Sequence, residues 1–540
     1  MLTPLVLAII YLTPTCVDAA TIPTSIKVIV SNASGKRLEE VEDVPWKEVS
    51  IGAVKDKKSG KSDNEMKVNL DTTTKYQKYD GMGGSFMRAG ATLLNQMPKD
   101  VQDEILKDLF DKKEGIGIRL GKVPIGATDF GVPKWYTYAD EPQSSDLPFF
   151  NMSYDMDDMQ GFIPYVQRAV EVSGSPLRLE ATMDYPPQWM LNSSTPLPTA
   201  DLNTSTYEAL ANYYYKYCDT LHQLGLPVEV LALFNEAPDS YTAGSNQHMR
   251  DLLVDHVAPL FNGKYKDEHD GVSPKLTFTA KFGRAITLDD SPAFYELDGV
   301  QEVTDAIFYH GYDCNYGLAD SMGWQCNGLE ITCPHLKESA AAMRRFYEKY
   351  GKGRQLWMTE VCYASEFGDY NYSNGCPDLP RLDFEDSMQW GDMIFADFNI
   401  VQASGWIYWN MILDTSGGPW LVSEEHNDPD PNEQQPILVV DTAAGTYSRT
   451  GVYYAMAHFG RYIEPGSMRF EATIYDKYEH DVSASAFIDE ASCSCVIVAM
   501  NKNTKDNQEV VLSLDGKYEA SLVLSPISFT TLQFDYCTGT

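Results

Sequence analysis

The chain has 540 residues and is acidic, with 77 aspartates and glutamates against 42 lysines and arginines. The net charge of −35 argues against nucleic acid or an anionic membrane as a broad partner, because both carry negative charge themselves. Hydrophobic residues make up 43% of the chain and aromatic residues 12%, which excludes a disordered chain and predicts a globular protein with more than one domain.

Residues 1–19 have the composition of a secretory signal peptide. The apolar run of residues 5–12 is followed by Val17-Asp18-Ala19, which places small residues where a signal peptidase requires them. The segment is shorter than the ~20 apolar residues of a membrane span, and no other stretch approaches that length. The sequence therefore predicts a soluble mature protein that enters the secretory pathway.

Potential glycosylation sites fit the same route. The pattern Asn-x-Ser/Thr occurs at five positions, and each is predicted to carry a glycan: Asn32, Asn151, Asn192, Asn203 and Asn371.

Cysteine usage also fits an oxidising compartment. One of the ten cysteines, Cys16, lies in the predicted signal peptide, and the odd number that remains leaves at least one thiol unpaired. Cys314, Cys326 and Cys333 lie in one loop-rich stretch and are predicted to form disulfides, whose pairing the sequence leaves open. Cys362 is the predicted buried free thiol.

The folded part of the chain opens with short β-like runs and then changes character. From Gly81 onward, apolar runs of strand length alternate with segments of helical periodicity. Eight strands are counted, which is the pattern of an α/β fold with a (β/α)8 TIM barrel and not of a doubly wound sheet. The predicted strands begin at Gly81 and continue with 116–124, 177–182, 231–236, 275–282, 304–310, 355–360 and 406–410.

The helical pattern stops at about residue 464. Five short strands are predicted between residues 482 and 534, which indicates a β-sandwich domain. The N-terminal β segment is too short for a sturdy core of its own and is expected to join this domain. The predicted organisation is a signal peptide at 1–19, an N-terminal β segment at 20–77, a catalytic barrel at 78–463 and a C-terminal β-sandwich domain at 464–540.

Two of the predicted barrel strands end in glutamate. The fourth strand ends in Asn235-Glu236, and the seventh ends in Thr359-Glu360. Catalytic groups of TIM barrels sit at the C-terminal ends of the strands, so both carboxylates are expected to face one cleft. Two carboxyl groups are the usual catalytic residues of glycoside hydrolases, and this chemistry needs no metal or organic cofactor. Either glutamate by itself could equally be a surface charge at a strand end.

Several segments carry a resemblance to a known family. In chain order they are Gly81-Met-Gly-Gly-Ser-Phe86, Glu114-Gly-Ile-Gly117, Val123-Pro124, Asp129-Phe130, Tyr136-Thr-Tyr-Ala-Asp140, Asn235-Glu236, His310 with Tyr312, Thr359-Glu360-Val-Cys362, Gly405-Trp406 with Trp409-Asn410, Gly417-Gly-Pro419 and His458-Phe459-Gly460. With these segments, which span most of the mature chain, the sequence resembles the lysosomal glucosylceramidases (acid β-glucosidases) of glycoside hydrolase family 30.

This resemblance implies a retaining β-glucosidase that hydrolyses glucosylceramide to glucose and ceramide. Glu236 would be the acid/base and Glu360 the nucleophile, and further substrate-binding roles fall on Asp129, Asn235, His310, Tyr312, Trp409 and Asn410. It also implies a lysosomal or extracellular location, a glycosphingolipid or other β-glycoside as substrate, a lipid-presenting activator protein and transient contact with a membrane surface. No nucleic-acid partner is expected.

Two positions depart from the family pattern and are included among the predicted substrate-binding residues. Lys122 stands where the family has an arginine, and it lacks the planar fork that binds a carboxylate through two hydrogen bonds. Arg119 lies on the opposite face of the same predicted strand and cannot replace it. Asp184 stands where the family has an aromatic residue that contacts the sugar.

The departures keep two alternatives open. One is a retaining glycosidase that acts on another β-glycoside, such as a galactoside, a xyloside or a β-glucan. The other is a catalytically inactive barrel that binds glycans.

Overall fold

The structure is a computed structural model and describes residues 23–49, 66–192, 201–237, 245–314, 324–327, 330–365, 372, 375–421, 432–475 and 481–537. The predicted signal peptide and Asn371 lie outside these residues. Within the described ranges, no helix has the length and apolar character needed to cross a membrane.

The first strands of the chain precede the barrel and belong to a separate sheet. They are β1 (Ile26–Asn32), β2 (Glu39–Val44), β3 (Lys47–Glu48) and β4 (Met66–Lys78).

Eight parallel strands follow and close into a barrel in which the last strand pairs with the first. The strands of this region, with the hairpin β11–β12 inserted before the seventh barrel strand, are β5 (Gly81–Ser85), β6 (Leu120–Pro124), β7 (Arg178–Thr182), β8 (Val228–Asn235), β9 (Lys275–Lys281), β10 (Ala306–His310), β11 (Gln325–Asn327), β12 (Glu330–Thr332), β13 (Gln355–Glu360) and β14 (Gly405–Asn410). The predicted TIM barrel is confirmed. Its second strand begins at Leu120 and not at residue 116, because Gly117 adopts a φ of +76° that interrupts the extended backbone.

Helices surround the barrel. They are α1 (Arg88–Gln96), α2 (Lys99–Phe110), α3 (Phe162–Ser173), α4 (Tyr207–Gln223), α5 (Asn246–Arg250), α6 (Ala258–Leu260), α7 (Lys266–Glu268), α8 (Arg284–Tyr295), α9 (Val300–Val303), α10 (Leu336–Tyr350), α11 (Ser387–Ala396) and α12 (Gly451–Gly460). The apolar faces of the helices pack on the outside of the strands. A smaller cluster fills the lumen and includes Leu120, Phe308 and Trp357. The lumen is therefore a packed core, which leaves the C-terminal rim for chemistry.

The chain ends in two further groups of strands. They are β15 (Ile412–Asp414), β16 (Leu438–Asp441), β17 (Thr446–Arg449), β18 (Met468–Tyr475), β19 (Val482–Asp489), β20 (Ser494–Asn501), β21 (Gln508–Leu514), β22 (Tyr518–Leu524) and β23 (Ser528–Asp535). Strands β1–β4 and β18–β23 form one ten-stranded sheet in the order β2-β1-β23-β20-β19-β18-β4-β21-β22-β3, whose strands enclose a single apolar core. The predicted union of both chain ends in one β domain is confirmed, while the boundaries at residues 77 and 463 stay predictions.

A buried histidine joins the β domain to the barrel. His458 lies in α12, and its Nδ1 and Nε2 are 2.8 Å from Thr531 Oγ1 and 2.9 Å from Ser31 Oγ. Burial, helped by the charge of Arg461, lowers the pKa of His458 to about 3. The imidazole is therefore neutral in the folded protein and bridges two strands of the neighbouring domain.

We expect this neutral imidazole to make folding less favourable in acid. Below about pH 6.5 the unfolded chain binds a proton on His458, whereas the folded protein does so only near pH 3, so stability is lost as pH falls between these values. The stability advantage of the wild type over a His458→Gln variant should shrink by about 2 kcal/mol from about pH 7 to about pH 5. Urea unfolding at both pH values measures it. The same substitution at the exposed His335 is the control, and an equal pH dependence of both variants would contradict the prediction.

The observed disulfides agree with the cysteines that were predicted to form them. Cys314 pairs with Cys333 and Cys326 pairs with Cys376, so all three predicted half-cystines are bridged. A third bridge joins Cys493 and Cys537. Cys362 is buried and outside these three disulfides, in agreement with the prediction, and so are Cys218 and Cys495.

The predicted glycosylation sites differ in exposure. Asn151 and Asn192 are exposed and Asn203 is half-buried. Asn32 is only 3% exposed, and its Oδ1 accepts a hydrogen bond from the backbone N–H of Lys36 at 3.1 Å. A glycan on Asn32 would require this side chain to turn outward, so the structure disfavours that site.

Candidate active site

The two predicted carboxylates meet at the C-terminal rim of the barrel. Glu236 directly follows β8, the fourth barrel strand, and Glu360 is the last residue of β13, the seventh. One oxygen of each carboxylate and one ring nitrogen of His310 lie within 4.8 Å of one another. Carboxyl groups of retaining glycosidases are about 5–5.5 Å apart and those of inverting ones about 6.5–9.5 Å. The spacing is closer to that of retaining enzymes than to that of inverting ones.

Glu236 is held in an unusual conformation beside a neutral histidine. Its φ of +49° lies in the left-handed region, which is costly for a residue with a Cβ and is found preferentially at functional sites. Hydrogen bonds from its N–H to Ala280 O and from Ala237 N–H to Thr279 Oγ1, both 3.1 Å, fix this turn. The turn aims the carboxylate at His310, whose Nδ1 is 2.6 Å from Glu236 Oε1.

His310 is fully buried at the end of β10, and the burial decides its charge. Loss of hydration lowers the pKa of His310 to about 3, against the attraction of Glu360 and with the repulsion of Lys122. A neutral imidazole carries one proton. When Glu236 is protonated, Nδ1 accepts its hydrogen bond and the imidazole proton sits on Nε2, 3.7 Å from Glu360 Oε2. His310 can therefore stabilise a protonated Glu236 without contributing a charge.

Glu360 is surrounded by donors. Lys122 Nζ donates to Glu360 Oε2 at 2.5 Å, and the Tyr312 hydroxyl donates to Oε1 at 3.0 Å. Burial alone would lower the pKa of Lys122, but the negative charges of Glu360, Glu180 and Asp184 outweigh it and raise that pKa. The ammonium stays charged, and both oxygens of Glu360 are held in place.

Lys122 also organises the sugar-facing side of the site. Its Nζ donates to Asn235 Oδ1 at 3.1 Å and lies 4.9 Å from the centroid of the Trp409 ring. Because the amide oxygen of Asn235 is engaged by the ammonium, the amide nitrogen is the group left to donate to a ligand. Asn235, Trp409 and Glu360 are thus positioned by one side chain.

A polar wall continues from Trp409 toward the predicted residue Asp129. Asn410 Nδ2 donates to Gln434 Oε1 at 2.7 Å, Gln434 Nε2 donates to Asn432 Oδ1 at 3.0 Å, and Asn432 Nδ2 lies 3.4 Å from Asp129 Oδ2. The thiol of Cys362 lies 3.4 Å from Gln434 Oε1 as well. The wall therefore joins two predicted sugar-binding residues, Asp129 and Asn410, through amide side chains that the sequence did not single out.

The cluster of Glu236, His310 and Glu360 is also the one group of converging donor atoms, within the described ranges, that could hold a metal ion. Both oxygens of Glu360 already accept hydrogen bonds from Lys122 and Tyr312. The ammonium 2.5 Å from Glu360 Oε2 would repel a second cation at that oxygen. The geometry fits a pair of carboxylates held by hydrogen bonds better than it fits a ligand set.

The site lies in a barrel with known relatives. The family model for the glycosyl hydrolase family 30 TIM-barrel domain matches residues 79–252 and 337–463, more than half of the chain. The chain belongs to glycosyl hydrolase family 30. The predicted family resemblance is confirmed, and the protein is a glycoside hydrolase similar to the glucosylceramidases.

Relatives within and around family 30 have different described activities. The chain is 22% identical to the lysosomal acid glucosylceramidase of Mus musculus over 514 residues, 92% of this chain and 88% of that protein. It is 21% identical to the endo-1,6-β-D-glucanase of Neurospora crassa over 435 residues, 76% of each protein. Its structure is similar to that of SrfJ from Salmonella typhimurium, with a TM-score of 0.72 at 17% identity over 94% of this chain and 99% of that one.

The two departures from the family 30 pattern both lie in the site. Lys122 stands where the resemblance implies an arginine, and it bridges Asn235 and Glu360. Arg119 immediately precedes β6 and donates to Ser173 O at 3.1 Å, away from these residues. Asp184 is buried beyond the end of β7, and its charge contributes to the raised pKa of Lys122. The sugar side of this family 30 site is therefore more highly charged than the sequence resemblance implies.

Sequence reasoning missed one charged residue of this family 30 site. Glu180 lies in the middle of β7, is 1% exposed and pairs in register with Lys122 of β6. A carboxylate in the middle of a parallel barrel strand, which is normally apolar, is the signal that could have identified it. Asn432 and Gln434 carry no comparable signal, because they lie in an irregular segment.

Proposed function

We propose that the protein is a retaining β-glucosidase that hydrolyses glucosylceramide by double displacement. The observation that carries the proposal is the convergence of Glu236 and Glu360 within 4.8 Å, with a neutral histidine on one and an ammonium and a phenol on the other. The two carboxyl groups thus have different environments, as an acid and a nucleophile require. The similarity to a lysosomal acid glucosylceramidase supports glucosylceramide as the substrate.

In the first step, an oxygen of Glu360 attacks the anomeric carbon and forms an ester while the bond to the leaving oxygen breaks. Glu236, protonated and hydrogen-bonded to neutral His310, gives its proton to that oxygen. Tyr312 and Lys122 donate hydrogen bonds to the two oxygens of Glu360 and hold them in place before the attack. The protonated leaving group departs as ceramide, which completes this step.

In the second step, Glu236 acts as a base. It takes a proton from a water molecule, the oxygen of that water attacks the anomeric carbon, and the ester to Glu360 breaks with return of the electron pair to the carboxylate. Asn235 is suited to donate a hydrogen bond to the sugar 2-hydroxyl, a contact that strengthens in the transition state. Trp409 offers the apolar face on which the pyranose stacks.

A second candidate keeps the mechanism and changes the substrate. Asp184 stands where the family resemblance implies an aromatic sugar contact, and the chain is similar to an endo-1,6-β-D-glucanase. A retaining glycosidase for another β-glycoside, such as a galactoside, a xyloside or a β-glucan, follows from these two observations. Loss of a stacking face and gain of a carboxylate would favour sugars with more hydroxyl contacts.

A panel of aryl β-glycosides and glucosylceramide in mixed micelles tests the proposal at acid pH. We expect turnover of the β-glucoside and of glucosylceramide, with β-glucose as the first anomer detected by proton NMR. Turnover of a galactoside, a xyloside or a 1,6-linked glucan with an inert β-glucoside would select the second candidate. Release of α-glucose first would contradict retention for both candidates.

We also propose that the protein passes through the secretory pathway to a lysosomal or extracellular location. Three disulfides and exposed sequons at Asn151 and Asn192 support this route. A membrane-embedded glycolipid requires transient contact with a membrane surface or an activator protein that presents the lipid. Acid pH would reduce the large negative charge of the protein and ease that contact.

A further inference from the structure

Lys122 faces a second carboxyl group besides Glu360. Glu180 of β7 is the register partner of Lys122 across the β6–β7 pair, and both side chains lie on the lumen side beneath the catalytic rim. Glu180 is 1% exposed, and its Oε2 has no hydrogen-bond partner among the described residues. A buried carboxyl oxygen without a partner is costly and calls for a role. The ammonium of Lys122 thus has two neighbouring carboxyl groups and donates a hydrogen bond to one of them, that of Glu360.

The protonation state of Glu180 decides whether the two carboxyl groups compete. Burial raises the pKa of Glu180 to about 8, with the charge of Lys122 lowering it and that of Glu360 raising it. At acid pH Glu180 is neutral, and the ammonium of Lys122 pairs with the carboxylate of Glu360, 2.5 Å away. Once ionised, Glu180 is a second anion beside the same ammonium.

We propose that Glu180 is a positioning residue that acts on the nucleophile Glu360 through Lys122. As a neutral acid, Glu180 leaves the ammonium with Glu360 and keeps the attacking oxygen in line. As a carboxylate, it draws the ammonium toward the lumen and lets Glu360 turn away from its attack geometry. The inference rests on the proposed role of Glu360 as nucleophile.

The charged groups that act on Glu180 are Lys122 and Glu360. From β6 it faces Lys122, and from across the lumen it experiences Glu360 of β13. Its register partner on β8 is Val230, which does not titrate. Asp184, beyond the end of its own strand, acts on Lys122. A change of charge at Glu180 is therefore transmitted mainly to the ammonium and not to solvent.

A fluorinated β-glucoside with a dinitrophenolate leaving group tests the proposal. Glu360 attacks its anomeric carbon, the bond to the aryl oxygen breaks, and dinitrophenolate leaves with the electron pair, so no proton from Glu236 is needed. The rate constant of adduct formation, followed by intact mass from about pH 5 to about pH 9, reports on the nucleophile alone. We expect a fall of about tenfold above about pH 8 in the wild type, since small displacements of a reacting group are costly, and no such fall in Glu180→Gln.

Glu229→Gln is the matched control. Glu229 lies near the N-terminal end of β8, where it pairs with Arg178 at 2.6 Å, and its replacement should leave the alkaline fall in place. An identical fall in the wild type and in Glu180→Gln would overturn the proposal. A wild type that gains no adduct at any pH would contradict the retaining mechanism itself, and with it the nucleophile that Glu180 is proposed to position.

Thermal unfolding supplies a readout independent of catalysis. The pKa of Glu180 is higher in the folded protein than in the unfolded chain, so its contribution to stability is full below about pH 4.5 and is lost as pH rises to about 8. The melting temperature of Glu180→Gln, relative to that of the wild type, should therefore rise between about pH 5 and about pH 8. Glu229→Gln should show a constant offset over this range. A constant offset for Glu180→Gln would show that Glu180 does not titrate there and would overturn the proposal.

Discussion

Replacing Glu360 by alanine is expected to abolish hydrolysis of β-glucosides, with a fall in kcat of about 10⁴-fold or more. The loss is large because Glu360 is the proposed nucleophile and the proposed role of Glu236 is proton transfer. Steady-state assays with an aryl β-glucoside at acid pH measure it. The same substitution at Glu348, on the exposed face of α10, should leave kcat unchanged.

Chemical rescue separates the two carboxyl groups. Azide can enter the space left by the Glu360 side chain and attack from the same face, so the Glu360→Ala variant should yield an α-glucosyl azide. In a Glu236→Ala variant the glucosyl ester on Glu360 still forms from an activated substrate, and azide attacking its opposite face should yield a β-glucosyl azide. The reverse assignment of products would exchange the proposed roles of the two residues.

Folding of the Glu360 variants needs its own check, because removal of this carboxylate leaves Lys122 without its 2.5 Å partner. A Glu360→Gln variant keeps the shape of the side chain and a hydrogen-bond acceptor for the ammonium. We expect it to be as inactive as Glu360→Ala and closer to the wild type in melting temperature. An active Glu360→Gln variant with unchanged pH dependence would exclude Glu360 as the nucleophile.

Replacing Asp397 by alanine is expected to destabilise the barrel by about 3–5 kcal/mol. Asp397 is fully buried after α11, and its two oxygens accept hydrogen bonds from Arg284 at 2.8 and 2.7 Å. Tyr309 and Trp406 donate to the same carboxylate at 2.8 and 3.1 Å. Removing it leaves a buried guanidinium and two buried donors without their acceptor, which costs more than the hydrogen bonds themselves.

Urea unfolding monitored by tryptophan fluorescence measures this loss. Asp103→Ala, which removes a partner of Lys99 from an exposed ion pair, is the control and should leave the transition almost unchanged. A double variant, Arg284→Met with Asp397→Leu, should recover only part of the stability, because Asp313 and the hydroxyl of Tyr309 still lose a partner. A loss below about 1 kcal/mol for Asp397→Ala would show that water or a neighbouring side chain replaces the carboxylate.

Much of the fold could be predicted because it depends on local patterns. Apolar runs of strand length alternating with helical periodicity specify a (β/α)8 barrel, and glutamates at two strand ends specify where the proposed catalytic carboxylates lie. The errors are local as well. The second barrel strand starts four residues later than predicted. Helices α1 and α8 were not predicted, because the glycine-rich segment before α1 and Pro292 within α8 obscure their periodicity.

The surroundings of the two carboxylates depend on barrel closure and strand register, which no local pattern contains. Lys122 meets Glu360 only because β5 and β14 close the barrel between β6 and β13, and it meets Glu180 only because β6 and β7 pair in that register. Asn432 and Gln434 reach the site from a segment more than 70 residues after Glu360.

The sequence by itself determined the family, the barrel and the two glutamates, because periodicity and strand-end chemistry are properties of short segments. The tertiary structure decided which charges face one another, and therefore which groups are protonated. Burial at the closed rim makes His310 neutral and raises the pKa of Glu180 to about 8. Lys122 stays charged in spite of the same burial, because the nearby carboxylates raise its pKa. These protonation states follow from desolvation and from distances between charges, which exist only once the chain has folded.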